Sequence, residues 1–282
     1  MSLETILLSA AILGGVGFLF ASLIALTHRR FSVWEDPRID AVVGLLPGNN
    51  CGACGFPGCR GFAENLVGGK TTPAICSVMS PDQREDVASY LGVDVGAANL
   101  RVARLLCAGG SDVAIQQAEY QGLGTCGAAA AVAGGGKGCT WGCIGLADCA
   151  RACTFDAIRM NDVGLPVVIP EKCTACGDCV EACPKDLFVI MPLEQKLLVQ
   201  CRNLLDGEAA TSLCSAACNA CGRCAADAPG IVSIRNGLAI VDYSHNELAS
   251  PAAIARCPTG AIVWLEGAQF AGSSPQLEEA TR

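Results

Sequence analysis

The chain has 282 residues, 51% apolar and only 16% charged, with a net charge of −8 and 20 cysteines. That charge excludes a general nucleic-acid binder, which needs a basic face, and aromatics at 5% exclude large aromatic-cored domains. Length alone suggests about two domains, but dense cysteines permit smaller ones whose folding free energy comes largely from metal.

A secreted disulfide scaffold is the competing reading of so many cysteines. It applies mainly to short secreted chains, whereas the spacings here are those of metal ligands and no cleavable signal peptide is legible.

Residues 6–27 read ILLSAAILGGVGFLFASLIALT, without a charge. The stretch is about long enough to cross a bilayer as one helix. Glu4 precedes it, and His28, Arg29 and Arg30 follow it, which reverses the charge order of a signal peptide. The positive-inside rule then places the N-terminus outside and everything after Arg30 in the cytoplasm. The expected location is the cytoplasmic membrane, with a single pass. His28 reads as an interfacial residue and His245 follows a predicted strand, so neither is assigned to metal. The segment 31–40 is polar, with Trp34 placed to rest at the interface.

Residues 50–60 read NCGACGFPGCR. Cys51, Cys54 and Cys59 are joined by Cys76, giving Cys-x2-Cys-x4-Cys-x16-Cys. Gly52, Gly55 and Gly58 let the backbone wrap closely, and Pro57 fixes the turn. Four thiolates of this spacing suit tetrahedral zinc or an iron–sulfur cluster. A short helix is predicted over 62–67, and a second over 80–91, capped by Ser80 with Pro81 at its first position.

A strand is predicted over 101–106, ending at Cys107. Residues 108–138 are rich in Gly and Ala and contain Cys126. Gly122, Gly124 and Gly127 fit G-x-G-x-x-G, but no apolar strand precedes them, so a dinucleotide site is rejected. Gly136-Lys137-Gly138 lacks the Ser/Thr of a phosphate-binding loop and is rejected too.

Cys173, Cys176, Cys179 and Cys183-Pro184 form Cys-x2-Cys-x2-Cys-x3-Cys-Pro, the bacterial ferredoxin signature for [4Fe–4S] ligation. Cys139, Cys143, Cys149 and Cys153 precede it. In the two-cluster rule each run supplies three ligands to one cluster and the fourth to the other. One cluster is then expected on Cys139, Cys143, Cys149 and Cys183, the other on Cys153, Cys173, Cys176 and Cys179. Leu146 stands where a regular run has its middle cysteine, and Cys139 is expected to substitute for it. A hairpin is predicted from 157–160 and 167–169.

A third module repeats the pattern. Cys214, Cys218, Cys221 and Cys224 align with Cys139, Cys143, Leu146 and Cys149. Asn236-Gly237 marks a hairpin turn. Ala228, Glu247, Ser250 and Ala253 stand where the second cluster's ligands belong, before Cys257-Pro258. One cluster is therefore expected, on Cys218, Cys221, Cys224 and Cys257, with Cys214 as a possible substitute for Cys221. Cys107, Cys126 and Cys201 remain unassigned. They read as buried apolar thiols, with an extra shared metal site as the sharper alternative.

The expected class is α+β: a transmembrane helix, a small iron–sulfur domain and two ferredoxin-like domains, the second degenerate. The expected boundaries are 1–30 for the anchor, 31–95 for the four-cysteine domain and 96–138 for a connecting segment. Residues 139–196 form the two-cluster domain, 197–268 the one-cluster domain and 269–282 a tail. About four [4Fe–4S] clusters are implied. No general acid, nucleophile or substrate pocket is legible. The reading is an electron relay; a zinc-stabilised scaffold is the alternative from another class.

The ordered set of an anchor, LPGNNCGACGFPGC with Cys76, GCTWGCIGLADCARAC and KCTACGDCVEACP resembles the B subunit of the Rnf complex, the ion-translocating ferredoxin:NAD oxidoreductase. The likeness covers roughly residues 6–265. It implies a cytoplasm-facing iron–sulfur subunit that takes electrons from reduced ferredoxin and passes them to other membrane and peripheral subunits. In the complex this flow is coupled to ion translocation and NAD reduction. An electron-delivery subunit of a non-pumping reductase is the related alternative. The decayed third module departs from the longer family members.

Overall fold

The computed structural model describes residues 3–31, 34–97 and 100–270, so the expected tail lies outside the described residues from 271 onward. Helix α1, Leu3–Phe31, contains the apolar stretch. Its segment Ala10–Phe31 has a mean hydropathy of 2.1, and none of it is buried against the rest of the chain. At 1.5 Å per residue it spans about 33 Å, enough to cross a bilayer. The Thr27 hydroxyl donates to the carbonyls of Leu23 and Ile24 at 2.9 Å, so this polar group is satisfied within the helix. Glu4 in the first turn and His28, Arg29 and Arg30 in the last suit the helix dipole.

The first body is built from α2 (Pro37–Leu45), α3 (Gly58–Val67) and α4 (Pro81–Leu91). Asp36 caps α2 by accepting from the Arg38 N–H at 2.9 Å. Ser80 and Gln83 form a reciprocal capping box on α4, which ends at left-handed Gly92. Val42, Leu46, Phe62, Leu66, Met79 and Val87 bury in one apolar core. Outside it, Arg60 ties α3 to Asp40 at 2.9 Å and to Glu35.

The second body contains β1 (Arg101–Leu105), α5 (Cys126–Ala131), α6 (Asp148–Ala152), β2 (Ile158–Met160), β3 (Pro166–Val168), α7 (Asp178–Glu181) and β4 (Phe188–Pro192). Strands β2 and β3 form the expected hairpin, Ile158 facing Val168. Strands β1 and β4 pair antiparallel, from Arg101↔Pro192 to Leu105↔Phe188. Residues 96–138 are therefore not a mere connection. Val102, Ala103 and Leu105 of β1 bury in the same core as Ile158, Leu187 and Phe188, and that apolar face holds the segment in this body.

The third body contains β5 (Leu197–Val199), α8 (Gly207–Thr211), α9 (Arg223–Asp227), β6 (Val232–Arg235), β7 (Leu238–Val241) and β8 (Ile262–Trp264). It repeats the plan of the second: an outer pair, β5 with β8, and an inner hairpin, β6 with β7. Asn236 and Gly237 both have positive φ, +50° and +74°, as the twist-matched two-residue turn requires.

The second and third bodies are stitched together twice. The Ser111 N–H donates to the Val163 carbonyl of the second, while the Ile115 N–H donates to the Leu213 carbonyl and the Ser215 N–H to the Val113 carbonyl, tying 113–115 to 213–215 of the third. Beyond β8 the chain returns to β1. Buried Arg104 donates to the Gly267 carbonyl at 2.8 Å. The Gln269 amide pairs both backbone groups of Leu105, at 2.9 and 2.7 Å. Residue 269 therefore belongs to the packed fold rather than opening a tail.

Candidate metal centres

Among the described residues, four cavities are each lined by four cysteines. Cys51, Cys54, Cys59 and Cys76 line the first. Cys126, Cys143, Cys149 and Cys183 line the second. Cys153, Cys173, Cys176 and Cys179 line the third, and Cys218, Cys221, Cys224 and Cys257 the fourth.

Two side chains brace the first quartet. The Asn50 side-chain oxygen accepts from the Cys59 N–H at 2.8 Å, and Arg84 of α4 donates to the Cys76 carbonyl at 3.0 Å. A Cβ on Gly58 would come within 2.9 Å of that Asn50 oxygen, at φ +77°, so glycine is required there.

The other quartets share one backbone device. A left-handed residue precedes each short helix: Ala147 before α6, Gly177 before α7 and Gly222 before α9. Two residues later come Cys149, Cys179 and Cys224, all buried. Gly145, Ala175 and Ala220 also have positive φ, and they precede Leu146, Cys176 and Cys221. The backbone thus keeps the ligand-bearing turn even where Leu146 has replaced the cysteine.

Cys139, expected to fill that gap, is not among the residues lining the second cavity. The residue that joins Cys143, Cys149 and Cys183 around the second cavity is Cys126. Its delivery explains the Gly-rich run that mimics a nucleotide loop. Thr125 caps α5 by accepting from the Ala128 N–H at 3.2 Å, and the Gly127 N–H donates to the Asp148 carboxylate of α6 at 3.0 Å. Cys126 is thereby held beside Cys149. In the fourth quartet Cys221 lines the cavity and Cys214 does not.

The lost second site of the third body is filled by packing. Ala228 and Ala253, where two ligands belong, are 6% and 0% exposed and sit in the third body's core. Ser250 caps its own turn at Ala252, and Glu247 pairs with exposed His245 at 3.5 Å. His28 is exposed on α1, and Trp34 is 80% exposed.

The chemistry of the quartets fits clusters rather than single ions. Among the described residues no three Cys, His, Asp or Glu side chains converge closely enough to hold one ion. The thiols instead ring cavities. Burial above all, with neighbouring thiols adding to it, pushes Cys143, Cys149 and Cys179 up to about 12. Such thiols stay protonated at neutral pH unless a metal takes the proton's place. At Cys257 burial also pushes upward. There the N–H groups of Ile262 and Thr259, the Thr259 hydroxyl and the Ala261 N–H outweigh it, and the thiol lies below its ordinary value. Ala157 donates to the Cys153 sulfur at 3.4 Å and Leu187 to the Cys183 sulfur at 3.5 Å. N–H donors of this kind tune the potential of a bound cluster.

Cysteine quartets lining separate cavities, on short helices and hairpins repeated in tandem, define an iron–sulfur protein of electron transfer. A family profile described as an Fe-S cluster matches residues 46–78, and one described as a 4Fe-4S dicluster domain matches residues 139–190. The chain is 43% identical over 216 residues to the B subunit of the Na(+)-translocating ferredoxin:NAD(+) oxidoreductase complex of Acetobacterium woodii, covering 77% of this chain and 65% of that protein. It is 35% identical over 263 residues to the B subunit of the proton-translocating ferredoxin:NAD(+) oxidoreductase complex of Clostridium ljungdahlii, covering 92% and 93%. To the B subunit of the ion-translocating oxidoreductase complex of Methanosarcina acetivorans it is 33% identical over 255 residues, covering 90% and 96%. The chain belongs to the B-subunit family of these ion-translocating Rnf complexes.

Proposed function

We propose that this chain is the membrane-anchored electron relay of an Rnf-type complex, taking electrons from reduced ferredoxin and handing them to partner subunits. In that complex the flow is coupled to ion translocation and NAD reduction, as the names of its relatives state. The observation that carries the reading is the set of four cysteine-lined cavities. Bound [4Fe–4S] clusters supply reversible one-electron storage at potentials set by their surroundings.

The residues of the chain hold, order and shield those clusters. Cys51, Cys54, Cys59 and Cys76 hold one; Cys126, Cys143, Cys149 and Cys183 a second; Cys153, Cys173, Cys176 and Cys179 a third; Cys218, Cys221, Cys224 and Cys257 a fourth. Cys126 takes the role that spacing assigns to Cys139. The Ser77 hydroxyl bonds the Thr174 carbonyl at 2.6 Å, which supports adjacency of the first and third sets. Cys149 lies close enough to Cys179 to feel its charge, which supports adjacency of the second and third. Cys221 is exposed, so the fourth set has an edge a partner can approach. The third body is read as a degenerate ferredoxin-like domain. The basic end of α1 at His28, Arg29 and Arg30 favours an N-terminus outside and iron–sulfur domains in the cytoplasm.

The test is direct reduction. The full-length chain, purified anaerobically in detergent, is mixed with reduced ferredoxin. The expected result is bleaching of its broad visible absorption, with EPR signals of reduced clusters. A colourless zinc protein, or an iron protein that ferredoxin leaves oxidised, would sink the reading.

A further inference from the structure

Four cysteines line none of the four quartet cavities: Cys107, Cys139, Cys201 and Cys214. All are buried, at 8%, 8%, 9% and 6% exposure. They come from distant parts of the chain, yet the backbone gathers them at one junction. Ala108 donates to the Gln200 carbonyl at 2.9 Å, which sets Cys107 beside Cys201. Ala114 bridges Cys214. Gly138 donates to the Ile115 carbonyl at 2.8 Å, which brings Cys139 to the same short segment.

Gly109 lies against two of the thiols. A Cβ there would sit 3.3 Å from the Cys214 sulfur and 3.5 Å from the Cys107 sulfur. Cys107 is also near enough to Cys139, Cys201 and Cys214 for its charge to act on each. N–H groups are aimed at sulfur, as in the other quartets. Gly109 and Cys143 donate to Cys107 at 3.3 and 3.4 Å, and Asn203 donates to Cys201 at 3.4 Å. The Lys137 ammonium, bonded to the carbonyls of Gly109 and Cys143, places a positive charge beside the group.

We propose that Cys107, Cys139, Cys201 and Cys214 hold a fifth [4Fe–4S] cluster at the junction of the second and third bodies. The 20 cysteines then divide without remainder into five quartets. Cys107 and Cys201 pack in different apolar cores, so the site joins the two bodies through its ligands. It touches the second quartet through Cys143 and the fourth through Cys218, whose N–H approaches the Cys201 sulfur. It therefore fills the gap between them. Binding replaces four S–H bonds by four Fe–S bonds and releases four protons. The proposal rests on the relay reading above for its purpose, not for its geometry.

The experiment is iron, zinc and acid-labile sulfide analysis with EPR of the dithionite-reduced full-length chain, beside Cys107→Ala, Cys214→Ala and Cys126→Ala. Five clusters give about twenty irons and as many sulfides per chain. Cys107→Ala and Cys214→Ala are each expected to fall to about sixteen irons and to lose the same EPR signal. Cys126→Ala is expected to lose a different one. A wild-type chain with about sixteen irons overturns the fifth site and leaves the four-cluster relay standing. One zinc per chain in place of the fifth set of irons overturns it too, as does retention of the full iron count in both variants. Should a variant fail to fold, the wild-type count still decides. A wild-type chain without iron overturns the relay itself.

Discussion

The hydroxyl of Ser77 donates a 2.6 Å hydrogen bond to the carbonyl of Thr174, across 97 residues of chain. Ser77 follows Cys76 of the first quartet, and Thr174 follows Cys173 of the third. The bond docks the anchor-proximal body onto the ferredoxin-type body at the loops that carry Cys76 and Cys173. Ser77→Ala keeps all ligands and removes one hydrogen bond worth about 1 kcal/mol. Amide exchange in the Cys76 loop is expected to quicken about fivefold, with iron content unchanged. Unaltered exchange would mean that the bond does not hold the bodies together.

Lys137 lies between two sets of cysteines. Its ammonium bonds the Cys143 carbonyl at 2.7 Å, and its charge acts on Cys139, Cys143 and Cys214. A nearby positive charge favours the reduced, more negative form of a cluster. Lys137→Met is therefore expected to lower the midpoint potentials of the clusters it faces by on the order of tens of millivolts. EPR-monitored redox titration reads this. Potentials equal to those of the parent would place the charge elsewhere.

The buried side-chain amide of Gln269 pairs both backbone groups of Leu105 in β1, accepting from its N–H and donating to its carbonyl. Gln269→Ala leaves a buried N–H and C=O without partners, at a cost of about 2 kcal/mol or more. Denaturant-induced bleaching is expected at a clearly lower midpoint. An unchanged midpoint would show that the return of the chain to β1 adds nothing to stability.

Local patterns carry much of this protein in the sequence itself. The run from Cys173 to Cys183, the Asn236-Gly237 turn and the Ser80 cap each depend on residues a few positions apart, and the structure forms the turn and the cap as read. Spacing also groups the cysteines of the first, third and fourth cavities. What spacing does not encode is contact across loops. Leu146 announces a missing ligand but not its replacement. Cys126 reaches that cavity only because Thr125 caps α5 and Asp148 accepts from Gly127. Similarly, β1 stands far from β4 in the chain, and only its buried face shows that the two belong together. Cys139 and Cys214 hold equivalent places in the repeat, but no spacing joins them to Cys107 and Cys201. A clue lay in arithmetic, since four ligands per cluster divide 20 cysteines evenly.

Native mass spectrometry of the intact chain, released from detergent under anaerobic conditions, tests the central claim most directly because it counts clusters on single molecules. The account predicts a mass above that of the bare polypeptide by five [4Fe–4S] units, with losses in whole-cluster steps. A ceiling of four units would remove the junction site, and increments of zinc in place of iron and sulfide would contradict the account as a whole.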